Sequence, residues 1–273
     1  MSDIVSVIND LAQSIFTAVE ENVFDILDSL LNINEEILKQ EPLNKLMFES
    51  NEQGFGILCF SFVLLFVICF LVRKLIFMYN PTNYVNSAKF ILRVIVCTIL
   101  ASFSYYLCEA VLNINGLFTE VICNIGESIT NQEISFVDLK QIILQAQENM
   151  TDNFISLDGT IRGMLSFGAV SLLFTFATRY VTIIVLLVLA PIALMLAIND
   201  STVEICKKWC KLLISNLFMQ NLVNFIIMIP MSVKDIDSVT FKIILVGSMY
   251  LLYKINNFTI EIFSEFKIER KIY

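Results

Sequence analysis

Arg179 is the only charge in thirty-six residues, Gly163 to Ile198. A guanidinium placed at membrane depth costs a few kcal/mol or more unless it meets water or a partner. The position therefore marks either a functional charge inside the bilayer or a residue at its interface. Downstream, Gln220, Asn221 and Asn224 put three side-chain amides into another apolar stretch. Amides are unfavourable toward lipid, so they either bond across helices or line a wet passage.

Between these two groups stands Pro191, which denies a helix one amide donor and leaves the carbonyl four residues upstream without its usual partner. The result is a structural kink, or a hinge or pore-lining carbonyl. After Asp200, Ser201-Thr-Val-Glu204 has the form of a capping box that restarts a helix. In that helix Glu204, Lys207, Lys208 and Lys211 share a polar face with Trp209, the chain's one tryptophan, beside them. An indole at headgroup depth with ammonium groups toward phosphates describes an interfacial helix over 201–211, serving as a lipid anchor or as a docking surface for a cytoplasmic partner.

No catalytic, cofactor-binding or metal-ligating set emerges. Histidine is absent, and the seven cysteines show no C-x-x-C spacing, which removes the usual zinc and haem ligands and the Ser-His and Cys-His nucleophile pairs. Cys59, Cys69, Cys97 and Cys108 fall in apolar runs as scattered small hydrophobes. No phosphate-cradling glycine loop and no nucleophile elbow occurs. The expectation is a protein without enzymatic activity or cofactor.

The elements that must position these residues follow from composition. Hydrophobic residues make up 57% of the 273, charged residues 16%, and mean hydropathy is +0.75. Such a chain reads as all-α, a polytopic helical membrane protein with about five transmembrane helices, alternatively six, plus amphipathic helices. Residues 1–53 hold eleven acids against Lys39 and Lys45, with an apolar stripe from Ile4 to Ile33 at helical spacing. This acidic amphipathic region would be repelled by anionic lipid, so its stripe packs on its own membrane domain or on a partner. A first transmembrane hairpin occupies 54–112, its spans Gly54–Val72 and Phe90–Leu112 joined by the basic loop 73–93. That loop carries Arg73, Lys74, Lys89 and Arg93 and no acid, which by charge bias makes it cytoplasmic and puts the amino terminus outside.

Residues 113–160 form an acidic extracytoplasmic loop with some helix in it, and Asn149-Met-Thr151 matches a glycosylation acceptor only where that machinery exists. The transmembrane core runs over 161–258. As one helix, Gly163–Ile198 would be about 54 Å, too long for a simple span, while as two it would need a turn at Thr178-Arg179-Tyr180. One crossing keeps Lys207, Lys208, Lys211 and the tail 259–273 cytoplasmic, which favours five spans. The last two spans are Leu212–Pro230 and Phe241–Asn257, and no internal repeat of the secondary-transporter kind is visible.

Arg179 to Ile227, RYVTIIVLLVLAPIALMLAINDSTVEICKKWCKLLISNLFMQNLVNFII, resembles the TrbL-like polytopic membrane subunit of type IV secretion and conjugation machines. The likeness lies in the order of Arg179, Ala190-Pro191, Trp209 and Gln220. It implies a channel or scaffold subunit that forms homo-oligomers in the bacterial cytoplasmic membrane. Such a subunit works beside other secretion-machine membrane subunits and ATPases to pass a DNA-protein substrate. The acidic outer faces do not suit DNA phosphates, which points to protein contacts there. On this resemblance, a member without the long soluble carboxy-terminal domain of many such subunits is expected. A small-solute transporter or permease subunit, or a structural membrane assembly factor, is the alternative.

Overall fold

A computed structural model of the protein describes residues 23–34, 36–39, 55–79, 87–148, 157–233 and 238–265. Much of the acidic amino-terminal region, the centre of the basic loop at 80–86, the Asn149 acceptor, residues 234–237 of the last hairpin connection and the tail from 266 lie outside the described residues. Those that are described form helices and short connections, with no strand among them. In chain order these are α1 (residues 23–31), α2 (Glu36–Lys39), α3 (Phe55–Tyr79), α4 (Ser87–Ser102), α5 (Ser104–Thr130), α6 (Phe136–Glu148), α7 (Leu157–Val188), α8 (Ala190–Met195), a 3-10 turn (Leu196–Ile198), α9 (Val203–Met231) and α10 (Val239–Glu265). The protein is all-α. Ser104–Thr130, Ser166–Val188 and Val203–Met231 are long and apolar enough to cross a membrane, and Ser61–Val72 is a shorter apolar stretch.

The chain divides into two compact units, neither contiguous in sequence. One comprises Met1–Ile33, Asn115–Val181 and Ser215–Tyr273; the other comprises Asn34–Ile114 and Thr182–Ile214. The core of the first is built on Phe24, Leu27 and Leu31 of α1, Phe136 and Leu139 of α6, Leu172 and Phe176 of α7, Val223 and Ile227 of α9, and Phe241 and Leu252 of α10. Phe136 and Phe176 meet edge to face at 5.8 Å. In the second, Phe66 of α3, Cys97 and Ala101 of α4, Met195 of α8 and Ile198 cluster together. An ion pair between Arg93 and the exposed Asp200 lies in the same unit.

Two expectations about the elements change. Residues 113–130 were expected in a loop, but they continue the second apolar run as helix, and α5 ends only at Asn131, which takes a left-handed φ of 57°. Asparagine tolerates that conformation and stops a helix there. Cys108, Leu112, Asn115, Thr119 and Ile122 fall on one buried stripe at spacings of three and four. A helix seam made partly of small and polar residues suits close helix packing.

The second change concerns the charged step after Asp200, which is not a separate interfacial helix over 201–211. It forms the first turns of the continuous 29-residue α9. Nothing in Glu204–Asn221 breaks a helix, so the chain has no reason to stop at Leu212. The helix start is also built differently from a Ser201-Glu204 box: the Asn199 side chain accepts the Ser201 N–H at 3.4 Å, the Thr202 hydroxyl donates to Leu196 O at 2.5 Å, and Glu204 pairs with Lys207.

The apolar stretch with Arg179 divides at Pro191, the position expected to kink it, and not at Arg179. α7 passes through Thr178-Arg179-Tyr180 unbroken, so the turn that six spans would require there is not formed. Pro191 sits in the first turn of α8, where its missing N–H removes the bond to Leu187 that would have prolonged α7.

Candidate functional site

Among the polar side chains that helices α5, α7 and α9 bury in the first unit are Asn115, Thr119, Arg179, Gln220 and Asn221. Contacts between α5 and α9 advance together along both helices, from Asn115 with Asn221 to Cys123 with Asn224, so the two run parallel. Parallel packing keeps the four-residue step of Asn115 and Thr119 in register with the adjacent pair Gln220-Asn221.

Four of these side chains close a ring in which each donates to the next. Asn115 Nδ2 donates to Gln220 Oε1 at 3.5 Å, and Gln220 Nε2 donates to Thr119 Oγ1 at 3.2 Å. The Thr119 hydroxyl donates to Asn221 Oδ1 at 2.9 Å, and Asn221 Nδ2 returns to Asn115 Oδ1 at 3.0 Å. Each amide is polarised in the same sense by its neighbour, which strengthens such circuits in a low dielectric. Asn224 extends the row, its Nδ2 donating to the Cys123 thiol sulfur at 3.7 Å.

Arg179 enters from α7 with only 3% of its surface exposed. Its Nε donates to Asn216 O at 2.8 Å, Nη1 to Leu31 O at 3.3 Å and Nη2 to Gln220 Oε1 at 3.5 Å. No carboxylate among the described residues pairs with it, so carbonyl dipoles take the place of a counter-ion. Leu31 lies at the end of α1, where carbonyls gather partial negative charge, and its oxygen also accepts the Ile33 N–H at 2.9 Å. A cation there stabilises a helix end by up to about 2 kcal/mol in partly buried geometry. Gln220 Oε1 also accepts the Ile33 N–H at 3.3 Å. It thus has three donors for two lone pairs, and its contacts are correspondingly long.

Asp28 fixes α1 at a second point. Its Oδ1 accepts the Phe136 N–H at 2.8 Å and its Oδ2 the Val137 N–H at 3.0 Å, so an acid from a distant segment supplies the acceptors for the first turn of α6. Burial pushes the Asp28 carboxyl up, outweighing the lowering by those two N–H groups.

Of the sequence candidates, Arg179 and Gln220 meet directly. Asn221 joins them, and Gln220 and Asn221 bond across helices to Asn115 and Thr119. Pro191 and Trp209 belong to the second unit, where the Trp209 indole N–H donates to Leu186 O at 2.9 Å and so satisfies a carbonyl in the last turn of α7. Lys207 is paired with Glu204, Lys208 is exposed and Lys211 half-buried. Asn115, Thr119, Asp28 and the main chain at 31–33 went unrecognised. The first two were detectable as the polar members of the α5 stripe, whereas nothing near Asp28 in sequence announces a partner 108 residues away.

Chemically the seam offers hydrogen bonds and one positive charge. Among the described residues no group of three His, Cys, Asp or Glu could hold a metal ion. Comparison with protein-family models, with curated proteins and with solved structures gave no match.

Proposed function

We propose that the chain is a channel or scaffold subunit of a type IV secretion machine. In this reading it oligomerises in a bacterial cytoplasmic membrane and helps pass a DNA-protein substrate alongside the machine's other membrane subunits and its ATPases. The observation that carries the reading is the meeting of Arg179 and Gln220. These two of the four landmarks of the TrbL-like pattern stand 41 residues apart in sequence, and their side chains are 3.5 Å apart inside one buried seam. A pattern of scattered polar residues in apolar helices gains meaning when its members share a site. The parallel course of α5 and α9 also agrees with a chain whose amino terminus is outside and which crosses five times, since both helices would then run outward.

The alternatives are a permease subunit for a small solute and a membrane assembly factor. A permease would be expected to carry a buried acid-base pair, whereas the carbonyl-ringed Arg179 suits a structural or gating charge. Finding genes for conjugation ATPases beside this one would support the secretion reading, and finding a gene for a nucleotide-binding transport subunit there would support the permease.

The decisive experiment replaces Arg179 by Ala in a host carrying the transfer machinery and measures both substrate transfer and subunit assembly. At least a tenfold loss in one of them is expected, and unchanged values in both would overturn the role given to Arg179. Sidedness is read separately from single cysteines at positions 50, 80, 135, 208 and 270. A cysteine at 208 that reacts from outside would refute the five-span topology.

A further inference from the structure

We propose that residues 23–33 form a strap that closes the polar seam of the first unit, latched by Arg179 and Gln220, and that its release is the step that opens the seam to water. The inference stands on the strap's own contacts and holds whether or not the chain serves a secretion machine.

The strap is bound in three ways. Phe24, Leu27, Leu31 and Ile33 are buried. Its middle is held by the Asp28 carboxyl on the Phe136 and Val137 amides. Its end is held through main-chain atoms alone, Leu31 O on Arg179 Nη1 and Ile33 N–H on Gln220 Oε1. These two latch residues both belong to the seam, Gln220 as a member of the amide ring and Arg179 as the cation bonded to it.

This placement couples two events. With the strap in place, the Arg179 charge is ringed by Leu31 O, Asn216 O and Gln220 Oε1. When the strap lifts, the guanidinium loses its Leu31 O acceptor while Gln220 Oε1 keeps two donors, and water is the replacement the uncompensated charge demands. Closing the strap therefore dries the seam, and opening it wets a row of hydrogen-bonding groups from Asn115 to Asn224. The latch depends on the planar fork of arginine, because three acceptors are served from three different nitrogens. A lysine keeps the charge but offers a single nitrogen.

The test uses the full chain in lipid nanodiscs, comparing wild type with Arg179→Lys and Asp28→Asn. Amide hydrogen exchange reads the strap. Reaction of the native Cys123, which is half-buried against Asn224 in the seam, is read by maleimide labelling and peptide mass spectrometry. In Arg179→Lys, exchange of residues 23–33 is expected to quicken at least tenfold and Cys123 labelling at least fivefold, with helicity retained. Asp28→Asn is expected to move both in the same direction by less, and it serves as the second variant if Arg179→Lys fails to fold. Unchanged exchange in both variants would overturn the latch. Faster exchange with Cys123 still protected would overturn the closure role, leaving the strap as packing alone. Neither readout depends on substrate transfer, so the inference and the secretion reading fail separately.

Discussion

The guanidinium of Arg179 and the side-chain carbonyl of Gln220 meet at 3.5 Å between α7 and α9, and no described carboxylate accompanies them. Gln220 is the hub, because its two polar atoms serve the amide ring, the arginine and the main chain of Ile33 at once. Gln220→Leu preserves apolar bulk and removes every one of these contacts. A loss of about 2–3 kcal/mol is expected from several interhelical bonds of modest individual strength. Reversible unfolding in mixed micelles measures it, and a loss below 0.5 kcal/mol, on the order of an ordinary surface substitution, would contradict the hub role.

Asn115 and Asn221 should behave as a pair. Either single change to Leu leaves the other amide buried with a lost partner, whereas the double change removes both. The double variant is expected to be more stable than the sum of the singles by about 0.6–1.7 kcal/mol. Strict additivity would show that the 3.0 Å contact between them carries no coupling.

Two glycines of α5 predict opposite signs. A methyl group on Gly126 would stand 2.5 Å from Ile134 Cγ1 and 2.9 Å from its Cδ1, while one on Gly116 meets nothing within 4 Å. Gly126→Ala is expected to cost about 1–3 kcal/mol through overpacking. Gly116→Ala should gain about 0.5–1 kcal/mol from the lower entropy of the unfolded chain and the better helix former. The same unfolding assay reads both.

Asp28 gives a pH dependence of definite sign. Burial raises its carboxyl above the ordinary value of 3.8, so between that value and the raised one the folded protein holds more protons than the unfolded chain. Stability from this group is therefore greatest below the ordinary value and declines as pH rises through the raised one. Asp28→Asn should lose the decline and should also lose stability at every pH, because one of the two amides of α6 loses its acceptor. Unfolding curves across the acid range for both proteins check this, and parallel pH profiles would contradict it.

The apolar runs and the 3.6-residue periodicity determined that the chain is all-α and membrane-type, because these depend on residues close in sequence. The same local logic marked Pro191 as a place where a helix kinks and the amides at 220 and 221 as groups that need a polar partner. Where each helix ended was less accessible. Residues 113 to 130 read as an acidic loop because acids follow the second apolar run, and only the presence of α9 alongside makes Asn115 and Thr119 interior residues. The charged start of α9 looked like a separate element because charge suggests an interface, although no breaker follows it. The partners of Arg179 and Asp28 were decided by tertiary structure alone. Their acceptors and donors are backbone groups of Leu31, Asn216, Phe136 and Val137, and a backbone group carries no signature in the sequence.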